Sequence, residues 1–349
     1  MKIGILTAAR TNNNGTDLQA LAMQYSFSQF CDSVEIINYK CDRLENSHKI
    51  IPSLSIKNIV MIPIRIYNNI SHHLFRKSLN FSKQTYDKNS IDSINYDKVV
   101  VGSDQIWNLN ITGNDLNFFL PFEFGGKKYS YAASLGKTNI CKWQDKYNLK
   151  SYLKSFEKIS VREYSGVTAL DEIGVSSQWN LDPLLLVNSE IWKTKCKITQ
   201  PKKPYVFVYD VESNAKALHY AQKYAKENNL ELVVYSCRIK PIKGARVIRF
   251  LSINKFLSLI NNAKMVITNS YHGLSMAINF NKNFRAFKLS NSIQSNSRML
   301  NLLENLDLND FLITNEEKNE SPNWGNVNAK LSKLRETSFD YIKEICDYK

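Results

Sequence analysis

The chain is 349 residues long and 43% hydrophobic, with 46 Lys and Arg against 32 Asp and Glu, a formal charge of +14 at pH 7. That length accommodates two domains with ordinary cores, and the charge favours anionic partners, whether phosphorylated metabolites, acidic lipid surfaces or nucleic acid. No uninterrupted apolar stretch reaches transmembrane length, because the nearest, IPSLSIKNIVMIPIRIYNNI, is broken by Pro52, Lys57, Pro63 and Arg65.

The opening KIGILTA reads as a first strand, its apolar run too short for a signal peptide. A polar turn leads to the helical DLQALAMQYSFSQF and then to the strand-like VEIINY. Residues 50 to 90 stand apart, mixing apolar side chains with Lys57, Arg65, His72, His73, Arg76 and Lys77. They suit a helical excursion packed on the first domain, an acceptor lid or a basic amphipathic contact with anionic lipid. After them come DKVVVGSD, KKYSYAAS, the helix-prone CKWQDKYNLKSYLKSF, the strand KISVRE and the segment WNLDPLLL. This strand–helix rhythm predicts a mostly parallel sheet covered on both faces.

A basic stretch with two prolines, NSEIWKTKCKITQPKKP, shows no sustained period and reads as a linker. The rhythm then resumes with YVFVYD, NAKALHYAQKYAKENN, LELVVYS, ARVIRF, INKFLSLINNA, KMVITNS, GLSMAINF, NFRAFKL and SRMLNLLENLDL. The expected organisation is a Rossmann-like domain over residues 1–190, a linker over 191–204, a second Rossmann-like domain over 205–315 and a helical tail over 316–349. The six cysteines, Cys31, Cys41, Cys141, Cys196, Cys237 and Cys346, have no metal-ligand spacing and read as free thiols of a cytoplasmic protein.

Several short stretches carry chemistry. In KMVITNSYHGLSMAIN a buried strand breaks at Asn269 and Ser270 into a helix, placing His272 and Gly273 at the carboxyl end of a strand, where α/β sheets bind ligands. A helix start also favours an anion. In VVVGSDQIWN, the residues Ser103, Asp104, Gln105 and Trp107 bring hydroxyl, carboxylate, amide and indole to one turn, suited to hydrogen-bonding and stacking on a sugar. The alternative is an Asx turn with Asp104 as a local cap. NNNGTDLQALAM offers Asn14 and Gly15 at a helix start, with Thr16 or Asp17 able to cap.

Arg162, in KISVREYSG, ends a strand where a guanidinium can hold a carboxylate or phosphate in a fork, or serve as a surface ion-pair partner. Arg298 opens a helix, a position the macrodipole disfavours for a cation unless an anion shares it. Arg285 and Lys288 are weaker candidates. The chain has no GxGxxG, Walker, HExxH or nucleophile-elbow sequence, and its other histidines lack a second ligand at metal spacing.

In order along the chain, NNGTDLQALAM, GSDQIW, YSYAASLG, SVRE, LDP before an apolar run, NSYHGLSMAI and SRMLNLLENLDL resemble the polysaccharide pyruvyl transferase family over roughly residues 1–310. The resemblance implies a GT-B-like α/β fold, two Rossmann-like domains with mostly parallel sheets facing an interdomain cleft. It implies phosphoenolpyruvate as donor, a sugar with two suitable hydroxyls as acceptor, and a role in bacterial surface glycan biosynthesis. It assigns donor binding and catalysis to Arg162 and His272, with Arg298 as the downstream basic residue.

Ser270 and Gly273 would complete the donor side. Asn14, Gly15, Ser103, Asp104, Gln105 and Trp107 would form the acceptor side, with Asp104 orienting or deprotonating a hydroxyl. The scheme needs no metal and no organic cofactor. Expected partners are phosphoenolpyruvate and a lipid-linked saccharide, with peripheral contact at the inner face of the cytoplasmic membrane. Nucleic acid is not among them, since aromatics and arginines are not interleaved. Two other readings share the composition: a GT-B glycosyltransferase using a nucleotide sugar, and a non-catalytic basic module that binds glycan or membrane.

Overall fold

The computed structural model describes residues 1–51, 53, 55–136, 139–199, 203–236, 241–289, 296–314 and 320–347. Its first sheet has six parallel strands: β1 (Lys2–Leu6), β2 (Ser33–Tyr39), β3 (Phe81–Tyr86), β4 (Lys98–Val101), β5 (Lys127–Ser130) and β6 (Phe156–Lys158). Their order across the sheet is β3-β2-β1-β4-β5-β6. A short parallel pair, β7 (Ser160–Val161) and β8 (Gln178–Trp179), continues this region.

The second sheet is also six-stranded and parallel, built from β9 (Tyr205–Tyr209), β10 (Glu231–Tyr235), β11 (Ala245–Ile248), β12 (Met265–Thr268), β13 (Phe284–Phe287) and β14 (Leu312–Ile313). Its order, β11-β10-β9-β12-β13-β14, repeats that of the first sheet. In each, the connection reverses beside the first strand of the sheet, which places a switch point between β1 and β4 and another between β9 and β12. The fold is GT-B-like, with a Rossmann-like sheet in each half.

The central strands are apolar runs because both their faces are covered. All five residues of β9 and all four of β12 are buried. Helix Asn14–Phe27 follows β1 and starts on Asn13, whose side chain accepts from the amides of Gly15 and Thr16. That cap satisfies two of the four amides a helix start leaves open.

Contacts divide the chain into two units, one of Met1–Lys49, His73–Val187 and Lys333–Lys349, the other of Ile50–His72 and Asn188–Ser332. Residues 50 to 72 therefore count with the second unit, not with the first-domain excursion the sequence suggested. Tyr67 meets Phe250 edge-on there, ring centroids 5.2 Å apart.

The expected linker is partly regular. Ser189–Lys195 is a helix capped by Asn188, with Trp192 fully buried. Its basic residues had hidden a single anchoring indole. Residues 200–202 of that stretch lie outside the described residues.

The tail forms one helix, Trp324–Asp347. Its last turns hold to the first unit through several polar ties: Tyr341 Oη donates to the Ser130 carbonyl at 2.9 Å, and Lys98 Nζ donates to the Ile345 and Cys346 carbonyls at 2.7 and 3.1 Å. This docking also brings Cys346 to Cys31, and the two form a disulfide across a sequence separation of 315 residues. The free-thiol expectation fails for that pair, because tertiary docking, not local spacing, brings the sulfurs together. Cys41, Cys141 and Cys196 are free thiols, and burial pushes those of Cys41 and Cys196 up to about 12. Cys237 lies outside the described residues.

Candidate functional site

Chemistry-bearing residues gather at the carboxyl end of each sheet, and the two groups are built differently. In the first unit, β4 runs into Gly102, whose φ of 140° is a glycine conformation. A Cβ there would meet the Tyr131 carbonyl oxygen at 2.1 Å. The turn delivers Asp104, itself at φ 63°, into a set of donors. Thr16 Oγ1 donates to Oδ2 at 2.6 Å, while the Gln105 amide at 2.8 Å and an Arg162 terminal nitrogen at 3.1 Å donate to Oδ1.

Arg162 follows β7. Its other terminal nitrogen donates to Asp182 Oδ2 at 2.8 Å, and Asp182 Oδ1 accepts from the Leu184 amide at 3.0 Å. The Arg162 and Asp182 side chains are 0% exposed, and that of Asp104 is 13% exposed. One guanidinium is thus enclosed by two carboxylates, leaving the cluster formally one unit negative, with Asp104 as its accessible face. Next in the chain, Glu163 Oε1 accepts from Ser134 Oγ and the Leu135 and Gly136 amides, at 2.9, 2.8 and 3.2 Å. That carboxylate pins the loop after β5.

These contacts show how the expected site residues are engaged within the chain. Arg162, expected on the donor side, already faces two carboxylates of its own chain. Trp107 is not a stacking platform for a sugar: it is fully buried, stacks on Phe119 at 5.5 Å and donates from Nε1 to the Phe118 carbonyl at 2.8 Å. Ser103 is likewise buried, its hydroxyl donating to the Ala132 carbonyl at 3.0 Å. Asn14 and Gly15 are buried in the first helical turn, and the neighbouring Thr16 is the residue that reaches Asp104. Gln105 stays half-buried, its Oε1 accepting from Asn108 Nδ2 at 3.0 Å.

Sequence reasoning did not single out Asp182, the buried partner of Arg162. The only local signal was the LDP tripeptide, which by itself reads as an ordinary cap before a helical proline.

In the second unit, β12 ends at Thr268, whose hydroxyl donates to the Tyr209 carbonyl at 2.6 Å and accepts from the Ser270 amide at 3.0 Å. Asn269 donates to Asp210 Oδ1 at 2.7 Å and accepts from the Val211 amide at 2.9 Å, tying the end of β12 to that of β9. Ser270 caps helix Tyr271–Asn279 by accepting from the Gly273 amide at 3.3 Å. Gly273 permits that close seating, since a Cβ would meet Thr268 Oγ1 at 2.7 Å and the Tyr209 ring at 3.0 Å.

His272 is the second residue of this helix and is half-buried. Its ring lies edge-on to Tyr271, centroids 5.6 Å apart, and the Arg298 guanidinium lies 5.5 Å from the centre of the Tyr271 ring. Arg298 is itself buried in the first turn of helix Ser297–Asn305. Imidazole, phenol and guanidinium are thereby gathered at two helix starts, where partial positive charge favours an anion. Arg285 has a structural part instead: fully buried on β13, it donates to the Phe284 and Glu320 carbonyls at 2.8 and 3.1 Å. Lys288 is exposed just beyond that strand.

The polysaccharide pyruvyl transferase family profile matches residues 13–291, and the chain belongs to that family. No curated protein matches it. Among solved structures, the UDP-GlcNAc 2-epimerase of Neisseria meningitidis, bound to UDP-GlcNAc, is similar over 100% of this chain and 95% of its own, at 10% identity and a TM-score of 0.51. The UDP-GlcNAc 2-epimerase of Methanocaldococcus jannaschii is similar over 97% of this chain and 93% of its own, at 11% identity and a TM-score of 0.52. At such identities the likeness is one of fold.

Proposed function

We propose, with family membership as the premise, that this protein moves the pyruvyl group of phosphoenolpyruvate onto two hydroxyls of a sugar as a cyclic ketal, in the assembly of a bacterial surface glycan. The observation that carries the reading is the position of His272 on a capped helix start at the carboxyl end of β12, with the Tyr271 ring edge-on to it and the Arg298 guanidinium against that ring. Phosphoenolpyruvate combines two anionic groups with an enol carbon that must be protonated. Helix starts and a guanidinium answer the first need, and an imidazole that exchanges protons near neutral pH answers the second.

In this scheme His272 delivers a proton to C3 of the donor, turning its methylene into a methyl, and C2 takes an oxygen from the first sugar hydroxyl. The bond from C2 to the bridging phosphate oxygen then breaks, and the second hydroxyl closes the ketal. Two hydroxyl protons are released: one restores His272, the other leaves with inorganic phosphate. The balance involves no oxidant or reductant. Arg298, with Ser270 and Gly273 shaping the helix start, offsets the charge of the carboxylate and departing phosphate.

On the acceptor side, Asp104 receives or orients the sugar hydroxyl from the first unit. Arg162 and Thr16 act as positioning residues that fix its carboxylate, and Asp182 holds Arg162. A lipid-linked saccharide, met at the cytoplasmic face of the membrane, is the proposed acceptor class.

The test is incubation of the purified protein with phosphoenolpyruvate and a panel of lipid-linked saccharides. The expected result is phosphate release matched by product carrying the mass increment of a pyruvyl ketal. Product formed only from a nucleotide sugar, with release of the nucleotide, would overturn the proposal.

A further inference from the structure

Helix Ile62–Arg76 and the short helix Ile56–Val60 before it present an apolar face that the protein leaves open. Ile59, Val60, Ile66, Ile70 and Leu74 are 53, 46, 41, 55 and 57% exposed. Ile66, Ile70 and Leu74 follow one another at four-residue spacing and so lie along a single stripe. Inward anchoring comes from other positions of the same helix, with Ile64 and His72 buried.

The local structure is braced as well. Arg65 donates to the Ile50 carbonyl at 3.0 Å, the Asn58 carbonyl at 3.2 Å and Asn58 Oδ1 at 2.7 Å, so the two helices hold a fixed turn. Large isolated apolar residues are ordinary on a surface, but five on two consecutive helices mark an interaction face.

Charge identifies the occupant. Between Glu45 and Asp87 the sequence contains no acidic residue, while Lys49, His73 and Lys77 are exposed along this segment. Arg76 is excluded from that count because Asp17 Oδ1 accepts from its Nε at 3.0 Å. A second copy of this chain is a poor occupant, since a two-fold contact would set one acid-free, basic segment against another. A neutral apolar groove would leave the lysines unanswered. A bilayer carrying anionic headgroups answers both features, with acyl chains for the isoleucines and phosphates for the lysines. Among the described residues no helix is long and apolar enough to cross a membrane, so the contact would be interfacial.

From this combination of stripe and charge we infer that the face of Ile59, Val60, Ile66, Ile70 and Leu74 seats the protein on an anionic lipid surface. The inference stands independently of the catalytic reading.

The experiment is flotation of the full-length protein with phosphatidylcholine vesicles and with vesicles containing phosphatidylglycerol, at low and high salt. The expected result is binding to the anionic vesicles at least 10-fold stronger than to the neutral ones and weakened by salt. The I70S/L74S and K49E/K77E double variants should each lose at least 10-fold in that binding. Their melting temperatures should stay at the wild-type value, because all four side chains are exposed.

Equal flotation with both kinds of vesicle would overturn the inference, as would wild-type binding by both variants. Sedimentation showing a wild-type dimer that I70S/L74S dissolves would overturn it in favour of a second copy. Should I70S/L74S fold poorly, K49E/K77E and the salt dependence decide the outcome.

Discussion

At the carboxyl end of the first sheet an arginine is enclosed between two carboxylates, whereas at the same end of the second sheet an arginine lies on a tyrosine ring beside a half-buried histidine. The strand order is the same in both. One fold thus carries a buried ion cluster in one place and an imidazole, a phenol and a guanidinium at two helix starts in the other. Buried ion pairing fixes position. The proposed function rests its chemistry on the histidine and arginine at helix starts, so substitutions at the two ends should have different readouts.

The largest effect is expected at the ion cluster. Asp182→Ala leaves the buried Arg162 with one carboxylate where it had two, and breaking such a buried pair costs about 3 to 5 kcal/mol. Urea unfolding should show that loss in the midpoint, and a variant as stable as wild type would remove the structural part given to the cluster.

Next come the helix starts of the second sheet. Arg298→Ala should leave folding nearly intact yet weaken phosphoenolpyruvate binding by about 2 kcal/mol, roughly 30-fold in Kd by titration calorimetry. Unchanged affinity in the folded variant would remove Arg298 from the donor side.

Two charges at the amino edge of the first sheet set the baseline for electrostatic effects without catalysis. Lys98→Met strips the Ile345 and Cys346 carbonyls of their donor, and thermal unfolding should register a loss of about 1 to 2 kcal/mol with turnover retained per folded molecule.

Glu35 gives the smallest effect. Burial works to raise its pKa, but the Tyr96 hydroxyl at 2.6 Å and the Lys2 ammonium at 2.9 Å outweigh it and leave the carboxyl below its ordinary value. A depressed carboxylate stabilises fully above its unfolded pKa and loses that contribution as pH falls through the folded one. Solvent screening keeps the amount to about 0.5 kcal/mol. Glu35→Gln should therefore be slightly less stable than wild type at neutral pH and equal to it in acid, as read from urea midpoints at the two pH values.

The sheets were legible in the sequence because parallel strands covered on both faces must be continuous apolar runs, and KIGIL, KVVV, YVFVY and MVIT are such runs. Strand β3 was not, since FSKQTY lies at a sheet edge and exposes three of its six residues. Two-residue strands such as β14 carry no pattern at all.

At the sites, the His272 turn was readable because apolar strand, cap and helix lie within one short stretch. Pairing of Arg162 with Asp182 was not, because 20 residues separate the partners and each alone has an ordinary local role. Trp107 misled for a related reason: its neighbours Asp104 and Gln105 are polar, yet its ring turns into the core against Phe119 and Phe156. The Cys31–Cys346 pair depends on where the last helix docks, which no spacing rule reports.

The most direct test of the central claim is turnover in deuterium oxide with phosphoenolpyruvate and an accepted saccharide, comparing wild type with His272→Gln by mass spectrometry of the product. The account predicts a ketal methyl carrying a single solvent deuteron from the wild type, and product formation slowed about 100-fold or more in a normally folded variant. A variant that makes the same deuterated product at the wild-type rate would contradict it.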